Sequence, residues 1–323
     1  MLGGIIADKN IQKIAHNAKF DLQILSRAGF RVKGLSFDTM LAAHLLGEKT
    51  LSLKGLAFSR LGMEMTPITM LIGEGKSQKC ISGCELQETA DYACADADMT
   101  FRLAELLAPE LDRENQRKLF TEVEMPLVPV IGDMESAGIA IDADMLAKMS
   151  LRIGEQLTEL EKEIHEHAGH PFNIASPKQL GEVLFGELHL PAGRKTQTGF
   201  CTDAAVLDEL KDQHAIVRLI LEYRTLTKLK STYVDTLPQM VNVCDRRLHT
   251  SFNQARTATG RLSSSEPNLQ NIPVRGELGR EIRKAFVAPP GYLLLAADYS
   301  QIDLRALAHL SGDADLVKAF END

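Results

Sequence analysis

Two carboxylates stand close together in one stretch of the sequence. The run LLLAADYSQIDLR occupies residues 293–305, with Asp298 ending an apolar stretch and Asp303 five residues later. Continuous apolar residues are the pattern of a central strand covered on both faces, and the acidic end of such a strand sits where it meets solvent or a metal. A carboxylate is too costly to bury alone, so a cation or hydrogen-bond donors must compensate it. The competing reading is structural, with Asp298 or Ser300 capping a helix over QIDLRALAHL. On spacing alone the cap is the better reading.

Other side chains able to bind metal are scattered. The five cysteines, Cys80, Cys84, Cys94, Cys201 and Cys244, are an odd set without the layout of a disulfide framework. Cys80 and Cys84 have the spacing of half a zinc site, but no second pair accompanies them, and KCISGC reads as a loop with two thiols. The net charge of −8 runs against a nucleic-acid partner, since phosphate binding rests on lysine and arginine. Global charge is a weak guide where cations cluster. Between residues 251 and 290 six cations (Arg256, Arg261, Arg275, Arg280, Arg283 and Lys284) stand against Glu266, Glu277 and Glu281, which allows a basic strip on an acidic body.

The elements that must position these residues fall into units. At 323 residues the chain exceeds one hydrophobic core, so two or three domains are expected. No apolar run approaches the length that spans a bilayer, and MLGGIIADKN lacks the features of a secretory leader, so no membrane partner and a cytoplasmic address are expected. Periodicity predicts a helix over about 16–28, helices in SFDTMLAAHLLG and LSLKGLAFSRLG, a loop over TMLIGEGKSQKCISGC, and one long helix or two abutting ones closing near Pro109. This first unit, about 1–112, shows no sheet of its own. A short strand at GIAID follows, then an amphipathic helix over about 143–168. Ser176 before Pro177 marks another helix start. Helices over 203–212 and 214–234 come next, and from residue 248 the pattern turns to strand, loop and strand.

TATGRLSSSEPNLQNIP followed by DYSQIDLRALAHLS resembles the start of the palm in family A DNA polymerases, over long gapless matches. The resemblance implies that Asp298 holds the divalent metals of nucleotidyl transfer; magnesium, a hard cation, prefers such oxygen donors. It implies that Tyr299, Ser300 and Gln301 lie near the incoming deoxynucleoside triphosphate. Arg261, Asn268, Gln270, Asn271 and Arg275 would line the primer–template DNA, where amides and guanidinium groups reach minor-groove acceptors common to every base pair. The family usually has glutamate where this chain has Asp303, at the gate that excludes a ribose hydroxyl. The shorter side chain is expected to leave room there.

LEYRTLTKLKSTY is similar to the family's thumb helix, and Arg224 and Lys228, one turn apart, would both face phosphates. GRKTQTGFCTD is similar to the thumb tip, where Lys195, Thr196 and Thr198 would touch the backbone. There Cys201 replaces a more usual serine and makes a weaker donor. HNAKFDLQIL and YACADADMT match two motifs of the family's 3′–5′ proofreading exonuclease, with Asn17 and Asp21, and Tyr92 and Asp96, each at i and i+4. Asp21 and Asp96 would be metal ligands, and Tyr92 would orient the attacking water or the scissile phosphate.

The fold implied is mixed α/β and rich in helix. An incomplete ribonuclease H-like exonuclease domain (1–112) would precede a helical thumb with a palm segment (113–247) and the first strands of a palm (248–323), in a monomer. An Asp-x-Glu strand is expected before position 1, and the fingers and second palm carboxylate after 323. Each two-metal site is therefore expected to be incomplete and the chain alone inactive. Two other readings use the same residues: a non-catalytic duplex-DNA-binding protein, and a stand-alone exonuclease, which the missing Asp-x-Glu opposes.

Overall fold

The computed structural model describes residues 2–192, 195–196 and 199–321. A short helix, α1 (Leu2–Ala7), leads into β1 (Lys13–Ala15), α2 (Ala18–Arg27), β2 (Leu35–Asp38) and α3 (Thr39–Leu45). The two strands pair in parallel, Ile14 opposite Phe37 and Ala15 opposite Asp38, so the first unit does have a sheet. With three and four residues, these strands are too short to display an alternation. SFDTMLAAHLLG accordingly divides into strand and helix at Asp38. That residue is 1% exposed. Its carboxylate accepts from the backbone of Asn17 (3.1 Å), Ala18 (2.7 Å) and Met40 (2.9 Å), tying the starts of α2 and α3 together.

Ser52 caps α4 (Leu53–Leu61) through the Gly55 amide, and Gly62 at φ 67° ends it. The glycine-rich stretch expected to be loop holds α5 (Ile68–Ile72) and two 3₁₀ turns. α6 (Leu86–Arg113) is one helix that runs through Pro109. The lost amide bond is outweighed because Leu107 and Leu111, on either side of the proline, are fully buried. After α7 (Arg117–Leu119), a π turn over Phe120–Glu124 feeds α8 (Met125–Ala137). The first core joins Phe37, Leu56, Leu103 and Leu107 to Phe120, Met125 and Val128. It therefore extends past residue 112, the boundary expected from sequence.

β3 (Ile139–Ile141) lies between β6 (Arg247–Leu248) and β9 (Phe286–Val287) in a three-stranded antiparallel sheet. α9 (Ala143–Ala168), capped by Asp142, packs along α12 (Ala215–Leu229). Leu146, Ile153, Tyr233, Leu237 and Ile282 belong to the second core beneath them. A third core, with Ile164, Leu184, Leu207 and Ile220, fills the far end. Around it are α10 (Pro177–Gly181, capped by Ser176), the β4 (Lys195–Thr196) and β5 (Gly199–Phe200) pair, and α11 (Ala204–Leu210). α12 passes through a π turn over Lys230–Val234 into α13 (Thr236–Gln239).

β7 (Ser251–Asn253) and β8 (Ser263–Ser265) form an antiparallel pair, and the Thr250 hydroxyl, 2.7 Å from Ser264 Oγ, braces its base. α14 (Glu277–Lys284) follows. α15 (Ile302–Ser311) and α16 (Ala314–Glu321) are the last described helices. The apolar run before them is not the expected buried strand. Residues 292–298 form no ladder, and Leu293 and Leu295 are 95% and 93% exposed. A strand buried on both faces needs neighbours, and none among the described residues pairs with it.

One buried charge joins the first unit to the strands that follow. Glu135 on α8 is 8% exposed and pairs with Lys19 of α2 at 2.5 Å. The Phe252 amide of β7 donates to that same oxygen at 2.5 Å, the other oxygen accepts from Gln23 Nε2 at 2.5 Å, and Lys19 also donates to the Phe252 carbonyl at 2.6 Å.

Candidate functional site

The first unit gathers its titratable side chains where β1, β2 and α6 meet. Asn17 precedes α2 in the left-handed region (φ 62°, ψ 53°), which asparagine tolerates better than most residues. It is therefore not on a helical face with Asp21, as the spacing suggests; the turn places its amide on Asp38 instead. Asp21 follows in the first turn of α2. The residue as a whole is exposed, yet its pKa is raised, first by local desolvation and then by the charge of Asp38. Asp38 is itself raised by burial, against the pull of the amides it accepts and of His16. His16, whose Nδ1 lies 2.9 Å from Thr39 Oγ1, is held below its ordinary value by burial despite Asp38 and Asp96 nearby.

Tyr92 and Asp96 lie one turn apart on α6, as expected. Burial raises Asp96, while Lys54, the Tyr92 hydroxyl and His16 oppose the rise. Tyr92 is raised by burial and by Asp96. The buried Asp96 Oδ1 has no hydrogen-bond partner. An unpaired anionic oxygen at such a site fits a hard divalent cation. Asp21 and Asp96 belong to one electrostatic cluster, linked through Asp38 and His16. They form a partial donor set only, since no group of three His, Cys, Asp or Glu among the described residues is arranged to hold a metal. A cleft of about 330 Å³ opens beside Asp96, walled by Met65, Thr66, Met70, Leu71 and Tyr92.

Sequence reading missed Asp38, His16 and Lys54. Asp38 carried a signal, an aspartate directly before a helical pattern. His16 and Lys54 are brought in by tertiary packing and carried none.

A groove of about 1150 Å³ lies between α12 and the segment leading into α14, lined by Arg152, Lys228, Tyr233, Asn271 and Arg275 among others. Lys228, Asn271 and Arg275 are exposed, and the Tyr233 hydroxyl holds the Asn271 carbonyl at 2.6 Å. Arg224 is placed differently from the expectation. Its guanidinium donates to the Thr202 carbonyl and hydroxyl, and burial lowers its pKa. Successive turns of α12 point Lys228 at the groove and Arg224 at the segment before α11. Gln270 is exposed, yet its side chain is engaged by its own loop, accepting from the Ser264 amide (3.2 Å) and donating to the Leu262 carbonyl (2.9 Å). Asn268 accepts from the Gln270 amide at 3.0 Å. These two amides build the loop that presents the exposed Arg261. Lys195 and Thr196 form β4, and Thr198 lies outside the described residues. Cys201 donates to Asp203 at 3.1 Å.

Asp298, Tyr299, Ser300, Gln301 and Asp303 are all exposed. Asp298 accepts from the Tyr299 amide at 2.9 Å. The residue preceding α15 is Gln301, in the left-handed region at φ 50°, so neither Asp298 nor Ser300 caps that helix. Asp303 sits in its first turn. No third donor joins these carboxylates among the described residues, so as described they do not fit a metal centre.

Comparison with known proteins finds a family match for each of the two units. A 3′–5′ exonuclease family model matches residues 1–112, the segment holding Asp21 and Asp96. The chain is 47% identical over 328 aligned residues to DNA polymerase I of Chloroflexus aurantiacus, covering 99% of the chain and 35% of that protein. It is 42% identical to DNA polymerase I of Pseudomonas aeruginosa, covering 99% and 36%. The chain thus spans about a third of the length of these curated relatives. A solved structure, the POL domain of Pol1 from M. smegmatis in complex with DNA primer-template and dNTP, superposes with a TM-score of 0.86 at 38% identity, covering 99% of this chain and 53% of that one. The DNA polymerase family A model matches residues 143–323, from α9 through the groove to α16, and with more than half its length inside that match the chain belongs to DNA polymerase family A.

Proposed function

We propose that these residues are part of a DNA polymerase that performs template-directed synthesis and 3′–5′ proofreading in replication and repair. Residues 1–112 act as the exonuclease, 113–247 as the thumb with a preceding palm segment, and 248–323 as the start of the palm. The observation that carries the exonuclease assignment is the buried, unpaired Asp96 oxygen beside Tyr92, in one cluster with Asp21. Asp21 and Asp96 would hold magnesium, which supplies charge neutralisation at the scissile phosphate and an activated water. Tyr92 orients the reacting phosphate from its position over the cleft, and Asn17 shapes the turn that aims Asp21.

On the synthetic side, Lys228 and Arg275 line the groove of about 1150 Å³, and Arg261 stands on the Gln270-braced loop. These cations grip the primer–template without choosing a sequence. Asp298, with Asp303 at the sugar edge and Tyr299, Ser300 and Gln301 beside the nucleotide, contributes to the polymerase centre. It offers oxygen donors without a complete metal set among the described residues. The enzyme works as a cytoplasmic monomer.

Two substitutions in a full-length polymerase carrying this segment test the assignment. Asp96→Ala is expected to reduce removal of a mismatched 3′ end by at least about 100-fold, the scale of losing one preorganised electrostatic partner, with primer extension retained. Asp298→Ala is expected to do the reverse. Normal trimming by the first variant or normal extension by the second overturns the corresponding half.

A further inference from the structure

Lys54 belongs to none of the sequence motifs, yet it touches two sides of the cleft beside Asp96. It stands in the first turn of α4, while Tyr92 and Asp96 come from α6. Its ammonium lies 4.8 Å from the centroid of the Tyr92 ring and donates to the Thr66 carbonyl. Thr66 and Tyr92 both line the cleft. One cation therefore pins the aromatic wall and the backbone wall together. The turn that presents it is fixed by close packing. The Ser52 hydroxyl accepts from the Gly55 amide at 3.2 Å, and a Cβ at Gly55 would stand 2.4 Å from Thr50 Oγ1 and 2.8 Å from Ser52 Oγ. A side chain at Gly55 would have to displace both hydroxyls beside Lys54.

We propose that Lys54 is a positioning residue of the 3′–5′ exonuclease, holding the Tyr92 ring by a cation–π contact and the Thr66 edge by a hydrogen bond so that the Tyr92 hydroxyl stays aimed at Asp96. This rests on the exonuclease reading above. The ring is attracted to the cation through its face, which leaves the hydroxyl at its rim free to work. A positively charged neighbour also offsets part of the cost that burial imposes on the Asp96 carboxylate.

The test is made in full-length polymerase, trimming single-stranded DNA at saturating and limiting substrate. Lys54→Met, which keeps the aliphatic stem and removes the charge, is expected to lower kcat by about 3- to 30-fold, the range of a cation–π contact, with KM within about twofold. Lys54→Arg, which keeps the cation, is expected to recover most of the rate. In a Tyr92→Phe background the further loss from Lys54→Met is expected to shrink to less than about twofold, because the hydroxyl it aims is gone. Primer extension by the same preparations reports whether the rest of the protein is intact. If Lys54→Met fails to fold, the Arg variant and its Tyr92→Phe double mutant carry the test. An Arg variant that folds yet trims as poorly as Tyr92→Phe then overturns the proposal. A KM increase with unchanged kcat, or a full multiplicative loss in the Tyr92→Phe background, overturns it too. Asp96→Ala serves as the control: normal trimming by that variant refutes the exonuclease reading itself and not merely the role of Lys54.

Discussion

Asp21, Asp38 and Asp96 all have their pKa raised, with desolvation as the first cause in each. A carboxyl raised in the folded state keeps its proton to higher pH than the unfolded chain does. Its contribution to stability is greatest below the ordinary carboxylate value of 3.8 and declines as pH rises through the native value. Asp21→Asn removes that decline. In chelating buffer the variant is expected to melt close to the native protein at acid pH and above it near neutrality. The gain should be about 0.5 kcal/mol, the low end for single stabilising substitutions, because solvent screens an exposed group. Thermal unfolding across pH checks this, and an equal or lower midpoint at neutral pH contradicts it. The types and spacing of Tyr92 and Asp96 were legible in the sequence because both sit on one continuous helix. The conformation of Asn17 was not legible, since Asp38, twenty-one residues away, decides it by accepting its amide.

Among the elements, α9 and α12 show where periodicity suffices and where it stops. The stripe over 143–168 predicted α9 at its described bounds, Ala143–Ala168, because one face packs on a core and caps mark both ends. On α12 the same regularity correctly placed Arg224 and Lys228 one turn apart but could not say what each meets. Arg224 meets Thr202, and Lys228 lines the groove. Arg224→Ala is therefore expected to cost about 1–2 kcal/mol of stability, from a charged donor with two acceptors in a half-buried setting, and to leave the salt dependence of duplex binding unchanged. Lys228→Ala is expected to leave the melting midpoint in place and lower the log–log salt slope by about 0.9. Denaturant unfolding and a salt titration with labelled primer–template check both; interchanged outcomes would restore the sequence-based expectation for Arg224. The run before Asp298 failed as a strand for a related reason. Its apolar character is local, but a ladder needs a partner, and Leu293 and Leu295 stand in solvent without one among the described residues.

At the scale of the molecule, a body with a net charge of −8 carries its groove cations on a few exposed side chains, so the proposed contact with DNA would rest on the groove and not on the average charge. The sequence suggested a boundary at residue 112, where the 3′–5′ exonuclease family match also ends. The core beneath that segment nevertheless continues past it. Phe120, Met125 and Val128 complete the core of the first unit, and Glu135 answers to Lys19 and Gln23 on one side and to Phe252 on the other. Excising residues 1–112 is expected to bare that apolar row, worth roughly 1.5–3 kcal/mol per side chain, and to make the truncated polymerase self-associate. Asp96→Ala, expected on the proposed assignment to silence trimming with the core intact, should stay monodisperse, and light scattering on the two preparations checks the contrast. The proposed exonuclease is thus no detachable cartridge. A proofreading-free enzyme is better obtained by editing one carboxylate than by cutting, and a shortened one needs a resurfaced α8 and a neutral side chain in place of Glu135, whose cation leaves with the excised piece.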